Sequence, residues 1–434
     1  MNPVHVGIIG IVFLIAILFS RFPVAFCMAL VGLLGFGSLV SPEAALNIIA
    51  KDFYTVFSSY GLTVVPLFVF MGQILFHAGI SRKLYDAAYA WLGHYKGGLA
   101  MATVGACASF SAICGSTNAT AATMATVALP EMKRYQYGDE LATGVVAAGG
   151  SLGILIPPSV IFIVYGIMTE QSIGKLFMAG ILPGILLSAL FILTIYIWVS
   201  LNPQMAPRVE KQDFKVKIRA LTGLVEVIIL FIAVMGGLFL GIFTPTEAGA
   251  VGALGGIVIP LARRQLSWQG FLEAVYSSTL TTCMILMIVA GATVFGHFLA
   301  VSTIPSVLSA WVVDLPLPPW AIMIVVMFFF FIGGCFMDAL GMILLTIPIF
   351  FPVAVALGYD PIWFGVVIVL VTELGVITPP VGINVYVVSG IAKDVPLEII
   401  FKGAIPFVLT LLTYLVIMIF FPQIALFLPR FAAY

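Results

Sequence analysis

Residues 149–166 read Gly149-Gly-Ser-Leu-Gly-Ile-Leu-Ile-Pro-Pro-Ser-Val-Ile-Phe-Ile-Val-Tyr-Gly166, an apolar run of helical character interrupted at its centre by two adjacent prolines. Neither proline donates a backbone hydrogen bond, and each ring disfavours helix in the residue before it. In hydrocarbon an unpaired backbone carbonyl costs several kcal/mol, so a break of this kind is sustained only inside protein or beside a polar cavity. A plain kink held by neighbouring helices meets that condition as well as a binding site does, so one copy does not decide between them.

The break occurs twice. Thr372-Glu-Leu-Gly-Val-Ile-Thr-Pro-Pro-Val-Gly-Ile-Asn-Val-Tyr-Val-Val-Ser-Gly390 repeats it at an offset of 222 residues (379 − 157). Gly153 and Gly375, Pro130 and Pro352, and Pro23 and Pro245 keep the same offset. The chain therefore reads as an internal duplication: residues 1–205, a linker at 206–220, and residues 221–434. Interrupted helices at matching positions of two halves are the sequence pointer to the binding site of a secondary transporter.

Composition sets the medium. With 62% hydrophobic residues, 8% charged residues and a mean hydropathy of +1.21, a soluble globular chain is excluded. The formal net charge of zero gives no ground for a nucleic-acid partner; the partner that composition demands is the lipid bilayer. Cys27, Cys107, Cys114, Cys283 and Cys335 lie in apolar runs without metal-like or redox-like spacing and read as small core residues. The N-terminus lacks the positive region of a cleaved signal peptide, so the run up to Phe19 is expected to remain as a membrane helix.

Runs long enough to cross a bilayer fall near 3–20, 22–40, 61–79, 139–169 and 176–200, and again near 221–242, 244–262, 275–300, 361–392 and 402–428. Ser81–Gly93 mixes charges with aromatics, as an interfacial helix does. Two short runs, 97–113 and 116–130, joined at Cys114-Gly-Ser-Thr-Asn-Ala-Thr120, read as a re-entrant hairpin; the second half has its counterpart around Gly333–Gly341. Five crossings per half make the halves inverted copies. With the N-terminus outside, Arg21, Arg82, Lys83, Lys96, Lys133, Arg134, Arg208, Lys211, Lys215, Lys217, Arg219, Arg263, Arg264, Lys393 and Lys402 fall in the cytoplasm. Only Lys51, Lys175 and Arg430 stay outside, a bias that supports two periplasmic termini and a cytoplasmic linker. The fold class expected is an all-α polytopic membrane protein of two inverted five-crossing repeats, each with a re-entrant hairpin and a broken helix.

The candidate site follows. The tip Ser116, Thr117 and Asn118 offers hydroxyls, an amide and loose carbonyls beside Gly150, Gly153, Ile156 and Pro157 of the first break. Met337, Asp338 and Gly341 stand equivalently beside Thr372, Gly375, Thr378, Pro379 and Asn384 of the second. Sodium prefers neutral oxygens, and unwound carbonyls supply them at membrane depth. The expectation is one sodium ion in each half, at Ser116, Asn118, Gly150 and Gly153 and at Gly341, Thr372, Gly375 and Thr378. Asp338 and Glu373 are candidates because an ionisable group at that depth is costly unless paired or wet. Glu247 reads as a helix-start residue suited to the dipole, and His77 and His297 as packed or interfacial residues. No HExxH, G-x-S-x-G or P-loop appears, so an intramembrane enzyme or an ATP-driven pump has no machinery here.

Gly-Ser-Thr-Asn-Ala-Thr, Leu-Gly-Ile-Leu-Ile-Pro-Pro-Ser, Phe-Thr-Pro-Thr-Glu-Ala and Ile-Thr-Pro-Pro-Val-Gly-Ile-Asn, in this order across the chain, resemble the large membrane subunit of tripartite ATP-independent periplasmic (TRAP) transporters. The tip departs from the family's usual paired serines, reading Ser116-Thr117-Asn118. The resemblance implies a sodium-driven importer of organic acids, of C4-dicarboxylate or sialic acid type, in a bacterial inner membrane. It also implies a small membrane subunit of about four helices, a periplasmic binding protein, and an elevator motion of a transport core, approximately 97–169 and 318–392, within a scaffold. A self-sufficient sodium/dicarboxylate symporter is the alternative within transporters. A passive channel would more naturally carry a ring of repeated pore-lining groups.

Overall fold

The computed structural model describes residues 2–20, 22–207 and 212–432. Arg21, Arg208 and Lys211, three of the cations assigned above to the cytoplasm, lie outside these residues. Everything regular among the described residues is helical. The first half runs α1 (Pro3–Leu18), α2 (Val24–Leu39), α3 (Pro42–Phe57), α4 (Val64–His77), α5 (Ile80–Leu92), α6 (Gly98–Cys114), α7 (Thr117–Arg134), α8 (Asp139–Gly150), α9 (Val160–Met168) and α10 (Ile173–Leu201). Helix α11 (Phe214–Thr222) occupies the linker. The second half runs α12 (Val225–Phe239), α13 (Pro245–Ala262), α14 (Trp268–Ser302), α15 (Ile304–Val313), α16 (Pro319–Phe336), α17 (Ala339–Ala356), α18 (Pro361–Val376), α19 (Ile383–Ile391), α20 (Leu397–Phe420) and the short α21 (Gln423–Leu426).

Helix starts follow the local chemistry. Ser41, Ser116, Ser159, Ser172, Ser267, Asp338 and Asp360 each accept a backbone N–H of the first turn, and Thr244 with Glu247 forms a reciprocal capping box. Glu247 is thus a capping residue, as its position implied. Several starts also keep the offset of the prolines: α1 and α12 (225 − 3), α7 and α17 (339 − 117), and α8 and α18 (361 − 139) each lie 222 residues apart.

The halves differ in one long element. α14 is a single helix of 35 residues, whereas its counterpart is split into α3 and the segment Gly61–His77, bent by 54°. The reason is local: Ser58-Ser59-Tyr60-Gly61 interrupts the first half, and Leu280-Thr281-Thr282-Cys283 at the equivalent place carries no glycine. Helix α3 is an element that hydropathy alone passed over, since Glu43, Lys51 and Asp52 dilute its apolar character.

Among the described residues six helices are long and apolar enough to cross a membrane, or eight if each bent pair counts as one span. The other expected crossings are α1 and α2, of 16 residues each, and the broken pairs α8–α9 and α18–α19. The arms of the second hairpin, α16 and α17, each have 18 residues and pass the same test; at 1.5 Å per residue they reach about 27 Å, just short of a typical hydrocarbon core.

Packing interlocks the halves. α2 lies against α14, α4 against α13 and α14, and α8 against α20, while α19 of the second half packs on α7 and α8 of the first. Gly403 lets α20 approach α8 closely: a Cβ there would stand 1.9 Å from the Glu140 carbonyl oxygen. His77 meets Glu273 of α14 at 3.5 Å, and His297 of α14 meets the buried Asp52 of α3 at 3.2 Å, so each histidine contacts a carboxylate between α14 and the first half.

Candidate functional site

Each hairpin tip is seated in its own half's helix break. Helix α6 ends on Gly115 in the left-handed region (φ +61°), Ser116 caps α7, and Gly153 lies so close that a Cβ on it would be 2.5 Å from the Ser116 carbonyl oxygen. A Cβ on Gly115 would stand 2.6 Å from the Pro158 carbonyl oxygen. The break itself is one 3₁₀ turn, Ser151–Ile154, followed by Pro157-Pro158, with Ser159 capping α9. In the second half a Cβ on Gly375 would lie 2.4 Å from the Gly334 carbonyl carbon, and the N–H groups of Val381 and Gly382 donate to the Cys335 carbonyl at 3.3 and 3.4 Å. These glycines are required by the approach of one backbone to another, which no side chain permits.

The two halves then meet through buried polar groups. The Thr117 hydroxyl donates to Glu373 Oε1 at 2.7 Å, and Glu373 Oε2 has no hydrogen-bond partner. Asn384 Nδ2 donates to the Ala147 carbonyl at 3.1 Å beside the first break, while its Oδ1 is likewise unpartnered. Both side chains are fully buried. A buried oxygen left unsatisfied is unfavourable, so these two atoms beside the breaks are among the buried polar groups of the described residues with capacity for a further partner.

A cavity of about 120 Å³ opens where the tips face α4 and α14. It is lined by Ser116, Thr117 and Asn118 from one hairpin, by Asp338 from the other, and by Gln73 of α4 and Thr281 of α14 on the opposite wall. Among the described residues no Lys or Arg lines it. The structure therefore brings Ser116, Thr117, Asn118 and Asp338 together around one space. Gly150, Gly153, Ile156, Pro157, Gly375, Pro379 and Asn384 stand behind it in the breaks, as do Thr372 and Thr378, whose hydroxyls donate to the carbonyls of Ile368 and Leu374. Met337 and Gly341 flank the second tip, with Gly341 packed near Val24 of α2. Gln73 and Thr281 escaped the sequence reading; each is a polar residue in an apolar run, a signal available but shared with many packing residues. Among the described residues no group of three or more His, Cys, Asp or Glu side chains could hold a metal ion.

Two halves, each with a helical hairpin, that meet at one cavity make an all-α polytopic membrane fold. A solved transporter from Alcanivorax borkumensis, YdaH, described as having an unusual topology, shares that fold with a TM-score of 0.63 at 14% identity, covering 88% of this chain and 89% of that one. Residues 11–424 match the family described as "Tripartite ATP-independent periplasmic transporter, DctM component", and the chain belongs to it. It is 38% identical to the C4-dicarboxylate TRAP transporter large permease protein DctM of Pseudomonas aeruginosa, covering 90% of this chain and 91% of that protein. It is 32% identical to the sialic acid TRAP transporter large permease protein SiaM of Vibrio cholerae, covering 96% of each. It is also 33% identical to the isethionate TRAP transporter permease protein DctMQ of Oleidesulfovibrio alaskensis, covering 91% of this chain and 62% of that longer protein.

Proposed function

We propose that this large permease is the translocating subunit of a sodium-coupled importer of organic acid anions, working with a small membrane subunit of about four helices and a periplasmic binding protein in a bacterial inner membrane. The observation that carries the reading is the cavity itself: both hairpin tips and the first break line it, and the second tip is seated in the second break behind it. The substrate class follows the C4-dicarboxylate and sialic acid names of relatives. With no cation in the lining among the described residues, the anion is held by the start of α7 and by the Ser116 hydroxyl and the Asn118 amide. Sodium is the co-transported ion: the carbonyls around Ser116–Gly153 and Gly341–Thr378 are neutral oxygens of the kind it selects. Membership of the TRAP family favours this reading over the self-sufficient symporter.

Uptake into proteoliposomes holding this chain, its small membrane partner and the binding protein, screened over candidate acids, is the test. The expected result is a steep sodium dependence, with more than one ion per cycle. Full uptake driven by a potential alone, with sodium absent on both sides, contradicts it. Orientation is read separately: a cysteine at Gln212 in a cysteine-free background is expected to resist impermeant reagents applied from the periplasm, and labelling from that side overturns both the topology and the inversion of the repeats.

A further inference from the structure

Helix α11 is built in a way that the transport site does not use. Phe214, Ile218 and Leu221 fall on one helical face and are exposed by 66%, 43% and 37%. Lys215 and Arg219, also exposed, form a strip beside that face. Lys217 turns the other way: it is buried, its ammonium sits 5.6 Å from the centroid of the Trp91 ring of α5, and Trp91 Nε1–H donates to the Lys217 carbonyl at 3.3 Å. One lysine thus fastens α11 to α5 while the other two cations and the apolar face point away from the protein.

Cations also gather at the far end of α5. Burial and the nearby Arg263 guanidinium hold the Lys83 ammonium below the usual lysine range. Arg263 is paired with Glu226, whereas Lys83 and Arg264 have no carboxylate partner among the described residues. Asp86 and Asp213 are exposed acids of these two helices, and the cations outnumber them. From Lys83 to Trp91 the α5 axis advances about 12 Å.

We propose that α11 and α5 form a docking surface for anionic phospholipid headgroups. Phe214, Ile218 and Leu221 enter the acyl boundary and Lys215 and Arg219 lie level with the phosphates; Lys83 and Arg264 make a second contact along α5. The argument is one of complementarity: an uncovered apolar face with cations along its edge is what binds a helix to an anionic lipid surface. A protein partner would need no such strip of unpaired cations beside so narrow an apolar face.

The test places the full chain in nanodiscs of phosphatidylcholine, with and without phosphatidylglycerol, and follows hydrogen–deuterium exchange and co-purifying lipid. Phosphatidylglycerol is expected to slow exchange of residues 214–222 several-fold in the native chain. In a Lys83→Gln/Lys215→Gln/Arg219→Gln variant that protection is lost and the enrichment of phosphatidylglycerol over neutral lipid falls by about tenfold or more, each cation being worth roughly fivefold. A Lys51→Gln/Lys175→Gln/Arg430→Gln control retains both, and unchanged melting of the two variants excludes misfolding as the cause. Protection that is insensitive to phosphatidylglycerol, equal loss in the control, or the same protection from inorganic phosphate alone overturns the assignment.

Discussion

Ser116 and Asp338 begin equivalent helices, 222 residues apart (338 − 116), and each accepts the backbone N–H three residues on: Ala119 at 3.4 Å and Gly341 at 3.2 Å. Capping therefore explains why an oxygen stands at both positions, and either residue type supplies one. It does not explain why one tip is neutral and the other acidic. Asp338 lines the cavity together with the neutral tip, so the charge difference falls where substrate and ion would be read, while the glycines seating the tips are alike in both halves. What the fold requires is repeated; what differs is exposed to the cavity.

On that division the seats are the most sensitive places. Gly153→Ala and Gly375→Ala each drive a methyl into backbone, at 2.5 and 2.4 Å, and are expected to abolish uptake and to destabilise the fold by about 1–3 kcal/mol. Uptake and thermal melting of both variants measure this, and full activity of either one would break the equivalence of the seats. Next comes the tip charge. Asp338→Ser keeps the cap, so melting should hardly move while uptake drops tenfold or more at equal surface expression; preserved uptake would reduce Asp338 to a capping residue. Thr117→Val is smaller in effect: it strands Glu373 Oε1 and is expected to cost about 1–3 kcal/mol. Combined with Glu373→Leu, the loss should be less than the sum of the two single changes, as for groups that contact each other.

The weakest expectation concerns the exposed pair Lys133–Asp394, which ties α7 to the end of α19. The ammonium holds the Asp394 carboxyl below the ordinary carboxylate range. A depressed folded-state value means that the pair's contribution is complete above the usual Asp range and is lost as pH falls through that folded value. Lys133→Gln should therefore differ slightly from the native chain in melting near neutrality and not at all in strong acid, the small size reflecting solvent exposure.

The prolines and glycines made much of this legible. Pro157-Pro158 and Pro379-Pro380 located the breaks, and the oxygen-rich Ser116-Thr117-Asn118 located one wall of the cavity, because both signals are local in sequence. The other wall was not legible: Gln73 and Thr281 come to line the cavity only when α4 and α14 fold against the tips. The same holds for Thr117 with Glu373 and Ala147 with Asn384, contacts separated by more than two hundred residues. Helix α3 was hidden for a different reason, since its charges mask an amphipathic element whose one buried acid, Asp52, finds His297 far along the chain.

An elevator motion, as the family resemblance implies, would move the hairpin tips across the cavity against the wall formed by α4 and α14. Ala121, at first sight a convenient position on the hairpin for a cross-link to the frame, faces Gly150 inside the core and cannot serve. Ala119 and Thr281 both line the cavity from opposite walls. In a cysteine-free chain, Ala119→Cys/Thr281→Cys joined by a short bifunctional reagent should stop uptake, whereas Lys133→Cys/Asp394→Cys, joined on one side of that boundary, should leave it largely intact. Uptake that survives complete cross-linking of Ala119→Cys/Thr281→Cys would contradict a sliding core and leave local gating at the tips as the mechanism.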